Sequence, residues 1–137
     1  MKLNHTTQYA FRLLIVLSSN PQKLFVIKDI AKHLHLSYKY LAAIVTQLVK
    51  ANLIESIRGR DGGIKLARDA DEIRLIDIPD ATEEPYSENE CILGIGTCGG
   101  ASPCAFHGSW EKAQAAIRDT FGNRTLADLE IHADTAL

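Results

Sequence analysis

The apolar residues of the first fifty positions recur at steps of three and four, the repeat of an amphipathic helix, and they do so in three separate runs. Between Thr6 and Ser18 the run is Tyr9, Ala10, Leu13, Leu14, Val16 and Leu17, closed by Asn20-Pro21, which predicts a helix of about three to four turns. A shorter helix is predicted over 26–34, with Ile27, Ile30, Ala31 and Leu34 on one face. After a break at His35-Leu36, Ser37 can cap a third helix by accepting a hydrogen bond from a free backbone N–H. Tyr40, Leu41, Ile44, Val45, Leu48 and Val49 supply the buried stripe of that helix. Two helices across so short a turn make a helix-turn-helix.

The period then changes. Residues 53–58 alternate apolar and polar as a half-buried strand does, and Ile64-Lys65-Leu66-Ala67 is the returning strand. Between them lies Gly59-Arg60-Asp61-Gly62-Gly63, whose glycines permit the positive backbone angles of a tight hairpin. A helix-turn-helix followed directly by a hairpin with a basic tip is a winged helix, so the fold class is mainly α with a small β-hairpin. Residues 69–85 are acidic, with a short helix or turn at 75–81 around Pro79. Residues 86–103 lack periodicity, are rich in glycine and read as a loop. A helix resumes over 104–121, with Phe106, Trp110, Ala113, Ile117 and Phe121 along one face, and Gly122-Asn123 stops it. An apolar stripe with little else to cover it predicts a dimerisation helix. The chain thus divides into a winged helix-turn-helix (1–85), a cysteine-containing loop (86–104), and a dimerisation helix with a C-terminal segment (105–137).

Charge adds a partner to this outline. The net charge of −2 conceals an asymmetry: residues 1–68 hold eleven of the fifteen Lys and Arg against only Asp29, Glu55 and Asp61. A basic half suits a polyanion, because cations that neutralise phosphates release condensed counterions. The amino-terminal end of the second helix of a helix-turn-helix enters the major groove. The DNA contacts expected are therefore Ser37, Tyr38, Lys39 and Tyr40 there, with Tyr40 also opening the buried stripe. Ala42 and Ala43 offer methyl contacts only. Lys28 and Lys32 can meet the phosphate backbone, and Arg58 and Arg60 can enter the adjacent minor groove or clamp phosphate. No apolar run approaches the roughly 18 residues of a membrane span, and no signal-peptide pattern is present, so a cytoplasmic protein is expected. The sequence holds no phosphate-binding glycine loop, paired carboxylate site or nucleophile triad, which argues against an enzyme.

All three cysteines fall in or beside the loop, as Cys91, Cys98 and Cys104, with His107 one helical turn after the last. An odd number of cysteines argues against a disulfide framework. Three thiolates with a nearby imidazole can bind zinc or an iron-sulfur cluster, or act as redox-active thiols, and the wide gaps favour a cluster over zinc. Glycines let such a loop wrap around a group and leave backbone N–H donors for sulfide.

The start Met1-Lys2-Leu3 through Tyr9-Ala10, the Ser37-x-x-Tyr40-Leu41 motif, the wing Arg58-Gly59-Arg60-Asp61-Gly62-Gly63 and the closing Thr125-Leu126-Ala127-Asp128-Leu129 point one way. Over almost its whole length the chain resembles the winged-helix iron-sulfur transcription regulators that include the cluster-assembly regulator IscR and the nitric-oxide sensor NsrR. The resemblance implies a homodimer joined by the long helix after the cysteines and bound to a partly palindromic operator. It implies an iron-sulfur cluster on Cys91, Cys98 and Cys104. His107 completes a 2Fe-2S site in the IscR-like arrangement that Cys104-Ala-Phe-His107-Gly-Ser-Trp110 is most similar to. A 4Fe-4S site, with a carboxylate from near the partner's amino terminus, is matched here only by Gln8, a poor metal ligand. A repressor is the expectation. The alternative is a cluster-free or zinc-containing regulator that answers to a small molecule or a partner protein.

Overall fold

The computed structural model describes residues 3–83, 92–93 and 104–129. Their elements are α1 (His5–Ser19), α2 (Ile27–His33), α3 (Tyr38–Lys50), β1 (Ile54–Ile57), β2 (Gly63–Leu66), α4 (Asp77–Ala81) and α5 (His107–Asn123). Short 3-10 turns lie at Ala70–Glu72 and Leu126–Asp128. This is the mainly helical fold with one small hairpin that the periodicity predicts, a winged helix-turn-helix carrying a long C-terminal helix.

α1 is the centre of the core. Asn4 caps it, its side chain accepting the Thr7 N–H at 2.8 Å, and the Ser18 and Ser19 hydroxyls donate to the Ile15 and Val16 carbonyls at its end. Leu13, Leu14 and Leu17 are wholly buried, against Leu41, Ile44 and Leu48 of α3, Ile64 of β2 and Ile78 of α4 in one cluster.

α2 and α3 end in the same way. After each C-cap comes a residue in the left-handed region, His35 (φ 57°) and Asn52 (φ 60°). The residue after it donates back five positions, Leu36 N–H to Ala31 at 2.9 Å and Leu53 N–H to Leu48 at 2.9 Å. This is the Schellman motif, in which the chain reverses while the last carbonyls stay bonded. Buried Leu53 closes the second reversal and starts the wing.

In the wing β1 and β2 pair antiparallel, from Ile54 opposite Leu66 to Ile57 opposite Gly63. Phe25 adds a one-residue third strand, exchanging two hydrogen bonds with Ile64 at 2.8 and 2.9 Å. The glycines act differently from one another, and the sequence expectation needs correcting. Only Gly59 has a positive φ, of 117°. At Gly63 a Cβ would sit 2.6 Å from the Phe25 carbonyl oxygen, and at Gly62 it would overlap the Ile57 carbonyl oxygen. There the absent side chain, rather than an unusual backbone angle, is what the turn requires.

The C-terminal region returns to the body. Pro79 sits in the first turn of α4, where its missing N–H has no partner to lose. Leu75, Ile76 and Leu126 N–H groups donate to Arg124, Phe121 and Ile73 carbonyls at 3.0, 2.9 and 2.8 Å. The Thr125 and Asp128 capping box holds this last turn, and Leu126, 1% exposed, joins the core. α5 begins at His107 and not at Cys104 as expected, since residues 105–106 form a turn. Gln114 is its only buried residue among those described.

One polar contact lies inside the core. The Thr7 and Thr82 hydroxyls, both buried, share a 2.6 Å hydrogen bond, and Thr82 also donates toward the Ile78 carbonyl at 3.2 Å.

Two variants test this packing. Gly62→Ala should lower the urea midpoint by the equivalent of about 1–3 kcal/mol, while Arg60→Ala at the exposed tip should change stability by less than about 0.5 kcal/mol. Thr82→Val, which strands the Thr7 hydroxyl, should cost about 1–3 kcal/mol, and adding Thr7→Val should recover part of that loss; a double variant less stable than the single would exclude this account.

Candidate functional site

The residues expected to meet DNA come from three elements. The first turn of α2, the first residue of α3 and the wing surround one open cleft, lined among others by Lys28, Tyr38, Ser56, Arg58 and Gly59. The fold thus brings Lys28, Tyr38 and Arg58 together although up to thirty positions separate them. Tyr38 is 58% exposed, and Arg58 and Arg60 are exposed at the wing tip. Within the ladder the remaining wing lysine, Lys65, faces Glu55 at 3.8 Å, so its charge is partly answered inside the protein.

Ser37 caps α3: its Oγ accepts the Tyr40 N–H at 3.1 Å, which leaves its own O–H as the donor it can offer a phosphate. Lys39 is exposed, two residues into the helix. Tyr40 is a correction. Its hydroxyl lies 3.0 Å from Thr6 Oγ1 and its ring packs edge-on against Tyr9, with centroids 6.1 Å apart, so it ties α3 to α1 rather than facing outward. The helical repeat explains this, because Tyr40 lies one turn before Ile44 on the buried side. The same repeat carries the outward face from Lys39 through Ala43 and Thr46 to Lys50, all exposed. Thr46 and Lys50 were within reach of the sequence argument, which stopped at the start of the helix.

Of the four candidate metal ligands, Cys104 and His107 are described, and Cys91 and Cys98 lie outside the described residues. Cys104 is an exposed thiol not in a disulfide. Its carbonyl accepts the His107 N–H at 3.0 Å, which folds the turn that brings the two residues together at the start of α5. His107 Nε2 lies 3.6 Å from Glu111 Oε2, one turn further on. A carboxylate beside an imidazole is the usual outer partner of a metal-binding histidine, since it fixes the ring's tautomer and orientation. A soft thiolate and an imidazole are the donor types that suit an iron-sulfur or zinc centre. Among the described residues, the three acidic side chains that stand close enough to share a cation, Asp69, Asp71 and Glu72, are exposed and offer carboxylates in place of thiolates.

The apolar stripe of α5 is only half covered. Trp110, Ile117 and Phe121 are partly buried, Phe106 and Ala113 are exposed, and Phe121 meets Phe11 edge-on with centroids 6.4 Å apart. Trp110 Nε1 is a buried donor with no acceptor among the described residues. No helix among those residues is long and apolar enough to cross a membrane.

Known proteins match this arrangement along nearly the whole chain. The HTH-type transcriptional regulator NsrR of Shouchella clausii is 34% identical over 136 residues, covering 98% of this chain and 91% of that protein. The HTH-type regulator IscR of Vibrio vulnificus is 32% identical over 130 residues, covering 94% and 77%. Among solved structures, CymR, the global cysteine regulator of B. subtilis, superposes with a TM-score of 0.81 at 28% identity, covering 94% of this chain and 95% of that one. These relatives regulate transcription and are not enzymes, and the shared architecture is that of a DNA-binding homodimer. Residues 3–130 match the family described as Rrf2, iron-dependent transcriptional regulator, and the chain belongs to the Rrf2 family.

Proposed function

We propose that this regulator is a cytoplasmic repressor whose affinity for a partly palindromic operator is set by an iron-sulfur cluster, 2Fe-2S rather than 4Fe-4S, on Cys91, Cys98, Cys104 and His107. The observation that carries this reading is the turn at the start of α5, where an exposed thiol and a carboxylate-backed imidazole stand together on the helix that follows the cysteine segment. The family's description as iron-dependent supports the same metal. When bound, the cluster would supply iron that reacts with oxidants or nitric oxide.

The chain's own residues would do the rest. Thiolate ligation would tie a loop of about 14 residues to the start of α5. The half-covered stripe of Trp110, Ile117 and Phe121 would pack on a second copy, so that ligation and the spacing of the two α3 helices are linked through α5. Lys28, Tyr38, Lys39, Arg58 and Arg60 would hold the duplex, with Ser37 donating to phosphate. Cluster loss, oxidation or nitrosylation would then alter operator affinity by about 1–3 kcal/mol, the usual scale of coupling between sites.

The second reading, a zinc-containing or cluster-free regulator answering to a small molecule or partner protein, is favoured by the likeness to CymR, whose name ties it to cysteine. Metal and sulfide analysis separates the two.

Protein purified without oxygen should show sulfide-dependent visible bands with about two irons per chain. About four would move the fourth ligand away from His107, and a protein still colourless after anaerobic reconstitution would favour the second reading. Cys98→Ala should abolish the bands. For the DNA face, the Arg58→Ala, Arg60→Ala double variant should weaken duplex binding and flatten the slope of log affinity against log salt by about two, as two lost phosphate contacts require.

A further inference from the structure

The outward face of α3 is unusual for a base-reading helix. Lys39, Ala43, Thr46 and Lys50 are exposed along it, with Ala42 partly exposed beside them. Apart from Gln47 and from Lys39 and Lys50 near its two ends, the helix has none of the side chains that make two-point or acceptor contacts with base edges: no Arg, Asn, Asp or Glu. Its one glutamine, Gln47, holds its Oε1 buried and so does not display that oxygen to a groove. Thr46 Oγ1 donates to the Ala42 carbonyl at 3.0 Å, which commits the hydroxyl proton within the helix and leaves the oxygen only as an acceptor beside the γ-methyl. Between two lysines, the exposed side chains Ala43 and Thr46 therefore present methyl groups and no free hydrogen-bond donor.

We infer that α3 reads the 5-methyl groups of thymine, with Thr46 and Ala43 as the specificity-determining residues and Lys39 and Lys50 on the flanking phosphates. The major-groove edge of an A·T pair is the one standard edge that carries a methyl group, and apolar side chains discriminate it by burying that methyl. Tyr38 and Arg58 line the cleft beside the start of α3 and supply orientation and affinity. This inference rests on α3 being the helix that enters the major groove, and it is independent of any cofactor.

The test begins with selection of duplexes from a randomised pool by the full-length protein. The best duplex is then remade with deoxyuridine replacing each thymine in turn, which removes one methyl and leaves the base pairing intact. About one or two thymines per half-site should each weaken binding about fourfold when demethylated, the value of one buried methyl, and the others should have little effect. Thr46→Ser, which removes the protein's methyl and keeps the hydroxyl, should weaken binding to the thymine duplex and abolish the deoxyuridine effect at one of those positions. Thr46→Val, which keeps a methyl there, should retain that effect. Binding of every deoxyuridine duplex within about twofold of the thymine duplex would overturn the inference. An undiminished deoxyuridine effect in Thr46→Ser would overturn the role of Thr46. Retention of no duplex at low salt would instead remove the DNA-binding reading itself, a result distinct from either.

Discussion

The burial of one helical stripe, that of α1, is the constraint on which the rest of this structure depends. Leu13, Leu14 and Leu17 have no exposed surface, and each fully buried leucine contributes about 1.5–3 kcal/mol by leaving water. What matters for function is what they are buried against. α3, β2 and α4 all pack on α1, and Leu126 returns from the C-terminal end to the same cluster. α1 carries none of the residues expected to meet DNA, yet it sets where those residues stand.

The outward geometry of the DNA-binding half follows from how its helices end. Two Schellman reversals, at His35 and Asn52, fix the angle between α2 and α3 and the exit into the wing. Neither position is glycine, so each reversal holds a side chain in the left-handed region at some cost, and the buried Leu53 that follows Asn52 offsets it. Phe25 then clamps the wing from the α2 side, through a backbone approach that only a glycine at 63 allows. Lys28, Tyr38 and Arg58 converge on one cleft because these two reversals and this clamp leave the chain little choice.

The first turn of α1 bonds both to the helix-turn-helix and to the segment that precedes the cysteines. Thr6 bonds to Tyr40 of α3, and its neighbour Thr7 bonds to Thr82 at the end of α4, beyond which the chain runs on to the cysteines. α5 has a different character. Its apolar stripe is half exposed, the character of a helix that packs on a second copy. The body supplies a rigid frame, and α5 supplies the face that frame does not cover.

The order of elements was legible because hydrophobic period is a local property. The three helical runs, the Ser37 cap and the switch to strand alternation at 53–58 need only neighbouring residues to be read, and the observed elements lie within a few residues of them. Cys104 and His107 stand three positions apart in the sequence, and a turn before α5 carries them rather than the helix expected there. Three things required the tertiary structure. Whether Tyr40 faces DNA or α1 depends on Thr6 and Tyr9, more than thirty residues away. Whether a glycine serves a backbone angle or a close approach depends on Phe25, brought alongside Gly63 by the sheet. Which polar groups on α3 remain available depends on the burial of the Gln47 Oε1, which packing sets, whereas the Thr46 bond to the Ala42 carbonyl is local to the helix. Sequence determined what this chain could bind with, and long-range packing decided which of those groups point outward.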